Sequence, residues 1–462
     1  MSTKSKLLFS AVGSAVAVLT LGSATASDIR IATFQADVTP PIGSPLCHGN
    51  VSNVVTIVDP LTARGVVLLT PEQKPIVLCA VDWVVNSNSG YDEWRKALAK
   101  AAGTTVERVA VHTIHQHDTP GCDFSTEELL AAQGLTNKFS NVPFAHEAIA
   151  RTAQAEREAM RQSKAVTHIG VGQAKVEQFA SNRRVPGPDG KVKYVRMSAC
   201  RDPKVRAEPE GVIDPLVRML SFWDGGQPRV VLSYYATHPQ SHYGKGGVSA
   251  DTVGIARATR EAALPGVPHI HFGGAGGNVT AGKYNDGSPE NRPVLAQRLA
   301  RGLEEAWKAT RKSPLRAADI EWRVKPVALP LREELANDAP AIKTLADTSA
   351  KFGDRARAAR QLAWSRRCKA GHRIDLSCLR LGPARVLHMP GELFVEYQLA
   401  AQQMRPDAMV CMAAYGDDGC GYIGTEIAYS QGGYETGKVS QVAPQVERVL
   451  MDAMKSLLSA EK

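Results

Sequence analysis

Val106-Glu-Arg-Val-Ala-Val-His112-Thr-Ile-His115-Gln-His117-Asp-Thr-Pro-Gly121 holds the densest run of histidines in the chain. Its first half is apolar and β-branched, which predicts a buried strand over Val106–Thr113, and Pro-Gly closes the segment as a turn. If the strand persists, residues 109, 111, 113, 115 and 117 share one face, placing His115 beside His117 and His112 opposite. Two imidazoles so placed can share a metal, or act as one ligand and one acid/base neighbour. A histidine-rich surface turn has the same spacing, so this segment alone does not decide.

Three other strand ends repeat the arrangement. Val230-Val-Leu-Ser-Tyr-Tyr-Ala-Thr-His238-Pro runs an apolar strand into a histidine. Ala384-Arg-Val-Leu-His388-Met-Pro-Gly-Glu392 places a carboxylate after a strand and a Pro-Gly turn, where a helix N-terminus would also favour it. Met412-Ala-Ala-Tyr415 leads through Gly-Asp-Asp-Gly-Cys-Gly421 to Tyr422. Open α/β sheets collect ligands at the carboxyl ends of their strands, so His115 or His117, His238, Glu392 and Tyr422 are expected to converge there. Two imidazoles, a carboxylate and a phenolate suit zinc, and the same donors accept manganese or iron.

Outward from these segments, strand and helix patterns alternate. Strands are expected over Ile29–Val38, Gly65–Leu69, Ile76–Val85, Leu216–Phe222, Val230–Tyr235, His269–Phe272, Ile320–Leu331, Ile374–Leu381, Ala384–His388 and Met409–Ala414. Helices are expected over Tyr91–Ala102, Phe144–Arg161, Asp251–Ala263, Arg292–Thr310, residues 339–369 and Ala443–Ala460. The expected fold class is α/β, a mixed β-sheet core flanked by helices, with 339–369 as a basic helical excursion.

Composition is that of a globular protein: 462 residues, 44% hydrophobic, 22% charged, net charge +9. No Lys/Arg run interleaved with aromatics tracks a phosphate backbone, so nucleic acid is not expected as a partner. Lys4 and Lys6 before the apolar Leu7–Leu21 and Ala24-Thr25-Ala26 read as a cleaved signal peptide over 1–26, leaving 27–462 as one exported catalytic domain, periplasmic or secreted, with no later membrane-length run. In that compartment the eight cysteines can pair, and Cys368/Cys378 and Cys411/Cys420 are the expected local bridges.

Asp37-Val-Thr-Pro-Pro-Ile-Gly43, the His115-Gln-His117 pair, Ala236-Thr-His-Pro239, Gly277-Asn-Val-Thr280, Pro390-Gly-Glu392 and Gly421-Tyr-Ile-Gly-Thr425, with Tyr429 and Tyr434-Glu435 behind it, resemble the neutral/alkaline ceramidase family across nearly the whole expected mature chain. The resemblance implies one zinc held by His115, His238, Glu392 and Tyr422. It implies His117 as the catalytic imidazole, Tyr434 or His117 as oxyanion donor, and Asn182-Arg183 beside the substrate. Thr280 stands where the family has a serine, proposed there as nucleophile or as a substrate-positioning hydroxyl, and is expected among the catalytic residues; covalent serine chemistry is not expected, and direct attack by activated water on the amide is. The resemblance is to the family's N-terminal catalytic domain alone, and a counterpart of its C-terminal β-sandwich domain is not expected.

The expected activity is therefore zinc-dependent hydrolysis of an N-acyl sphingosine or another lipid-like or small amide. Arg183 and the Gly273-Gly-Ala-Gly-Gly277 loop are expected to position the substrate. Two alternatives stand beside it: a hydrolase of the same scaffold acting on carbohydrate-linked or other polar substrates, and an exported binding protein that keeps the metal.

Overall fold

The computed structural model describes Ser2 and residues 28–459; apart from Ser2, the expected signal peptide lies outside them. Three larger sheets organise the described residues. The first runs in the order Val109–Thr113, Ile76–Val81, Thr62–Leu69, Arg30–Asp37, Lys164–Ala165. The second runs His269–Gly273, Gln227–Tyr235, Leu216–Asp224, His168–Lys175, Arg311–Pro314. The third runs Ile320–Val327, Ile374–Leu381, Ala384–His388, Met409–Ala413.

Period-two alternation explains why the sheets stack. In Ile76–Val81, the residues Ile76, Leu78 and Ala80 join one buried cluster and Val77, Cys79 and Val81 another. Leu220 and Phe222 of the second sheet and Leu379, Leu381 and Val386 of the third enter the cluster of Leu78, so three sheets share one apolar core. The other faces are covered by helices: Asn88–Ala102 and Val142–Met160 over the first sheet, Asn291–Lys308 over the second, Val395–Met404 and Val446–Leu458 over the third. Gly103 ends the first of these helices in the left-handed region (φ 67°).

Where a single mixed sheet was expected, three mixed sheets are found. Each contains one parallel pair, Ile76–Val81 with Val109–Thr113, Gln227–Tyr235 with His269–Gly273, and Ala384–His388 with Met409–Ala413, among otherwise antiparallel neighbours. Val106–Arg108 forms a 3-10 turn and the strand begins at Val109. The excursion is two helices, Ala339–Ala346 and Phe352–Lys369, packed against an unforeseen helix Phe124–Ala131 around Leu130, Phe139, Leu345 and Leu362.

The expected disulfides are corrected: all eight cysteines are free. Cys411 faces the core shared by the three sheets, whereas Cys420 lies in the separate core beneath the third sheet. Cys378 is buried in its strand, and burial pushes its thiol up to about 12. No described helix is long and apolar enough to cross a membrane.

Candidate functional site

The carboxyl ends of the three parallel pairs meet. Thr113 donates its amide to the Tyr415 carbonyl at 3.0 Å, and Ala414 donates to Gly273 at 2.9 Å, joining strand ends from all three sheets. His115, His238 and Glu392 each follow one of these strand ends within four residues, and Tyr422 follows Ala413 by way of the turn Asp418–Cys420.

The strand stops at Thr113, so the alternation expected to run on through residue 117 does not hold. His115 enters the left-handed region (φ 62°), where its amide reaches the Trp83 carbonyl (3.1 Å) and its Nδ1–H the Val84 carbonyl (2.9 Å). Its ring stacks on Tyr415 at 4.7 Å. His117 nevertheless lies beside it, with the two Nε2 atoms 3.4 Å apart. His112 turns away and packs near His388, ring centroids 5.4 Å apart.

His238 is fixed in the same manner. Its amide donates to Val279 at 2.9 Å, and its Nδ1–H to the Gly276 carbonyl at 2.7 Å. Gly391 takes φ 60°, a conformation that suits glycine, and delivers Glu392 into a two-residue parallel ribbon with Tyr422–Ile423. Gly277 comes so close to this ribbon that an added Cβ would lie 2.2 Å from the Glu392 carbonyl oxygen. The 273–277 loop thus has a packing role, bringing the His238 end against Glu392.

His115, His238 and Glu392 converge in burial, offering ligand atoms all within 4.8 Å of one another. Glu392 Oε2 lies 3.1 Å from Nε2 of each histidine, and the Tyr422 hydroxyl 3.3 Å from His238 Nε2. With both Nδ1–H groups committed to carbonyls, each neutral imidazole presents only a lone pair at Nε2. Two imidazole nitrogens and a carboxylate oxygen thus face one point, where the protein's own donors are the Tyr422 hydroxyl and the Arg183 guanidinium, 3.0 Å from His238 Nε2. A cation resolves this arrangement, and N, N, O and phenolic O form a donor set that fits zinc.

Burial works against the Glu392 carboxylate, yet the two imidazoles hold its pKa well below the carboxylate range. Burial likewise disfavours the His115 imidazolium, but Glu392 raises its pKa above the ordinary value. His238 differs because Arg183 Nη2 is 3.0 Å from its Nε2; burial and this guanidinium lower it to about 4. Arg183 Nη1 also donates to the Tyr422 hydroxyl at 3.0 Å, opposing the burial that pushes this phenol up. Arg183 is buried and contacts the cluster itself, with Nε 3.6 Å from the buried Glu435.

Two expected residues line a cleft of about 330 Å³: Tyr434, and His117, whose Nε2 is 3.4 Å from the cluster's His115; Tyr243 packs edge-on to His117 at 4.6 Å. Tyr434 is 42% exposed, and its ring lies 5.7 Å from Tyr422. Thr280 is placed differently: its hydroxyl donates to the Arg196 carbonyl (3.1 Å) and accepts from the Gly282 amide (3.2 Å), with no hydrogen bond to the cluster. Sequence reading missed Tyr243, Arg360 and the stacking of Tyr415 on His115; Arg360 belongs to the helix read as an excursion.

No protein-family model matches the sequence, and no curated protein matches it. Solved structures do. A neutral ceramidase from Pseudomonas aeruginosa superposes with a TM-score of 0.68 at 14% identity, covering 93% of this chain and 74% of that one. A structure described as a ceramidase complexed with C2 gives 0.66 at 16% identity, covering 93% and 75%. The fold is that of the ceramidases. The sequence-level resemblance therefore extends to the three-sheet architecture of the described residues. At such low identity the ceramidase fold is shared, while the chemistry rests on this chain's own residues.

Proposed function

We propose that this protein is an exported zinc-dependent amidohydrolase in which residues 27–462 act as one ceramidase-like catalytic domain. The observation that carries the reading is the convergence of His115 Nε2 and His238 Nε2 on Glu392 Oε2, both at 3.1 Å, with both Nδ1–H groups committed to backbone carbonyls. His115, His238, Glu392 and Tyr422 would hold the zinc. Zinc, when bound, supplies Lewis acidity at the scissile carbonyl and brings the pKa of water toward neutrality.

The remaining steps belong to the chain. His117 Nε2 faces the cluster, 3.4 Å from His115 Nε2, and burial and the neighbouring imidazoles hold its pKa well below the ordinary value, so the neutral ring stands where it takes a proton from the attacking water and passes it on to the leaving amine nitrogen. The Tyr434 hydroxyl at the cleft wall stabilises the developing oxyanion. Arg183 orients Tyr422 through its 3.0 Å hydrogen bond, a positioning role. With its hydroxyl engaged by backbone groups, Thr280 steadies the turn after Gly277 and is not the nucleophile.

The test is fatty-acid release from detergent-dispersed ceramide and from a simpler N-acyl amide by protein shown by elemental analysis to carry one zinc. Release that is abolished in His238→Ala supports the reading. Folded, zinc-loaded protein that cleaves neither of these nor an N-acyl amino acid overturns it in favour of a binding protein or of action on carbohydrate-linked substrates.

A further inference from the structure

The cleft above His117 is walled on one side by the helix Phe352–Lys369. Gly353, Ala356, Arg357, Arg360 and Gln361 face the cleft at helical spacing, so one stripe of this helix forms the wall. Lys438 and Tyr434 line the same cleft. No Asp or Glu is among the residues lining the cleft.

The partners of these cations leave charge to spare. Arg357 pairs with Asp354, but both are exposed, with side chains 44% and 50% accessible, so the pair is weak and exchangeable. Arg360 lies 3.4 Å from Asp418, a single long contact that leaves most of its donors unused. Lys438 is exposed and forms no ion pair among the described residues. The same Arg357, Gln361 and Lys438 border an adjoining groove of about 650 Å³ whose wall includes Leu335, Pro340 and Ala341, with Glu334 and Asp354 as its acidic groups and Arg332 as a further cation. The cleft that holds His117 and this groove thus share Arg357 and Lys438.

A neutral amide has no use for this wall, whereas guanidinium forks match carboxylate geometry and attract it over a distance. We propose that the cleft selects amides bearing a carboxylate, N-acyl amino acids being the class, with Arg357, Arg360 and Lys438 as the specificity-determining residues. This deepens the amidohydrolase reading and rests on it. The reaction adds water across the amide C–N bond: the acyl carbon gains the hydroxyl, and the amino acid nitrogen leaves with the proton.

The experiment compares N-dodecanoylglycine with its neutral counterpart N-dodecanoylglycinamide on the zinc-loaded full chain. The ratio of kcat/KM is expected to favour the acid by about tenfold or more, in keeping with a charge-assisted hydrogen bond. In the double variant Arg357→Gln, Lys438→Gln that ratio is expected to fall toward one, with thermal unfolding confirming the fold. Binding of both compounds is also measured by calorimetry on zinc-loaded His117→Ala protein. Equal or better cleavage of the amide, or a ratio untouched by the double variant, overturns the proposal. If neither compound nor ceramide is cleaved but the acid binds selectively and the double variant abolishes this, the charge selection stands and the amidohydrolase reading falls. Cleavage of ceramide without cleavage or selective binding of the acid overturns the charge selection and leaves the amidohydrolase reading standing, and absence of all three overturns both.

Discussion

Glu392 and Tyr422 are register partners in a two-residue parallel ribbon, although thirty residues of chain separate them. The ribbon brings a carboxylate and a phenol from successive strand ends to one histidine, His238, at 3.1 and 3.3 Å. Its alignment depends on Gly391 and on the close approach of Gly277.

Removing a donor should remove the metal. His238→Ala and Glu392→Gln are each expected to lower zinc content from one per chain by at least about tenfold and to abolish amide hydrolysis, since ligand loss takes Lewis acid and activated water together. Elemental analysis after gel filtration, alongside fatty-acid release, checks both effects. Full zinc occupancy in either variant would contradict the ligand assignment.

His117→Ala separates chemistry from metal binding. Zinc content is expected to stay at one per chain while turnover drops by about 10²- to 10⁴-fold, the range for loss of a general acid/base group. Unchanged turnover would remove His117 from the mechanism.

Gly277→Ala forces a Cβ to within 2.2 Å of the Glu392 carbonyl oxygen, so backbone must move. Destabilisation of about 1–3 kcal/mol or more is expected from such overpacking, together with weakened zinc retention. Gly226→Ala, whose Cβ would meet nothing within 4 Å, is the control and is expected to change stability little. Urea unfolding of the two variants measures the contrast.

Asp82 anchors the segment whose carbonyls hold His115. It accepts from Arg257 Nη1 and Nη2 at 2.9 and 2.6 Å and from the Thr62 amide at 2.8 Å, in full burial. Asp82→Asn leaves the Arg257 charge buried without its counterion and is expected to cost about 3–5 kcal/mol. Burial opposes the Asp82 carboxylate, but Arg257 and Thr62 lower its pKa in the fold below the ordinary 3.8. Its contribution is therefore present above that value and is lost as pH falls through the folded-state pKa. Acid unfolding of the parent and of Asp82→Asn should converge at the lowest pH.

Glu156 shows the opposite sign. It is fully buried, neither carboxyl oxygen has a hydrogen-bond partner, and burial raises its pKa from 4.5 to about 9. Between those values the folded chain keeps a proton that the unfolded chain releases, so stability falls as pH rises, by up to about 1.4 kcal/mol per pH unit. Glu156→Gln is expected to flatten that slope and to be the more stable protein near the alkaline end of the window. Unfolding across this range checks it; parallel curves would refute the burial argument.

Local patterns were legible wherever one residue's environment is set by its neighbours in sequence. Asp251–Ala263, Ile374–Leu381 and Ala384–His388 appear with the expected bounds, because apolar periodicity and strand-forming residues coincide there. The ends of the 216–235 hairpin strands shifted by a few residues, and Val106–Arg108 turned out to be a 3-10 turn, since boundary residues answer to tertiary packing as much as to propensity. The cysteine pairs failed for a related reason: nearness in sequence says nothing about which face of a sheet a side chain takes, and Cys411 and Cys420 enter different cores.

By itself the sequence determined the α/β class, most of the elements, and the residue types waiting at four strand ends, because periodicity and punctuation are local properties of the chain. Only the tertiary structure decided that three sheets, each with one parallel pair, point those ends at one place. It also turned His115 out of the strand with φ 62°, drew Thr280 into backbone hydrogen bonds, and laid Arg357 and Arg360 along the cleft. Those outcomes depend on the stacking of distant surfaces around a shared core, a global balance of packing that no window of neighbouring residues encodes.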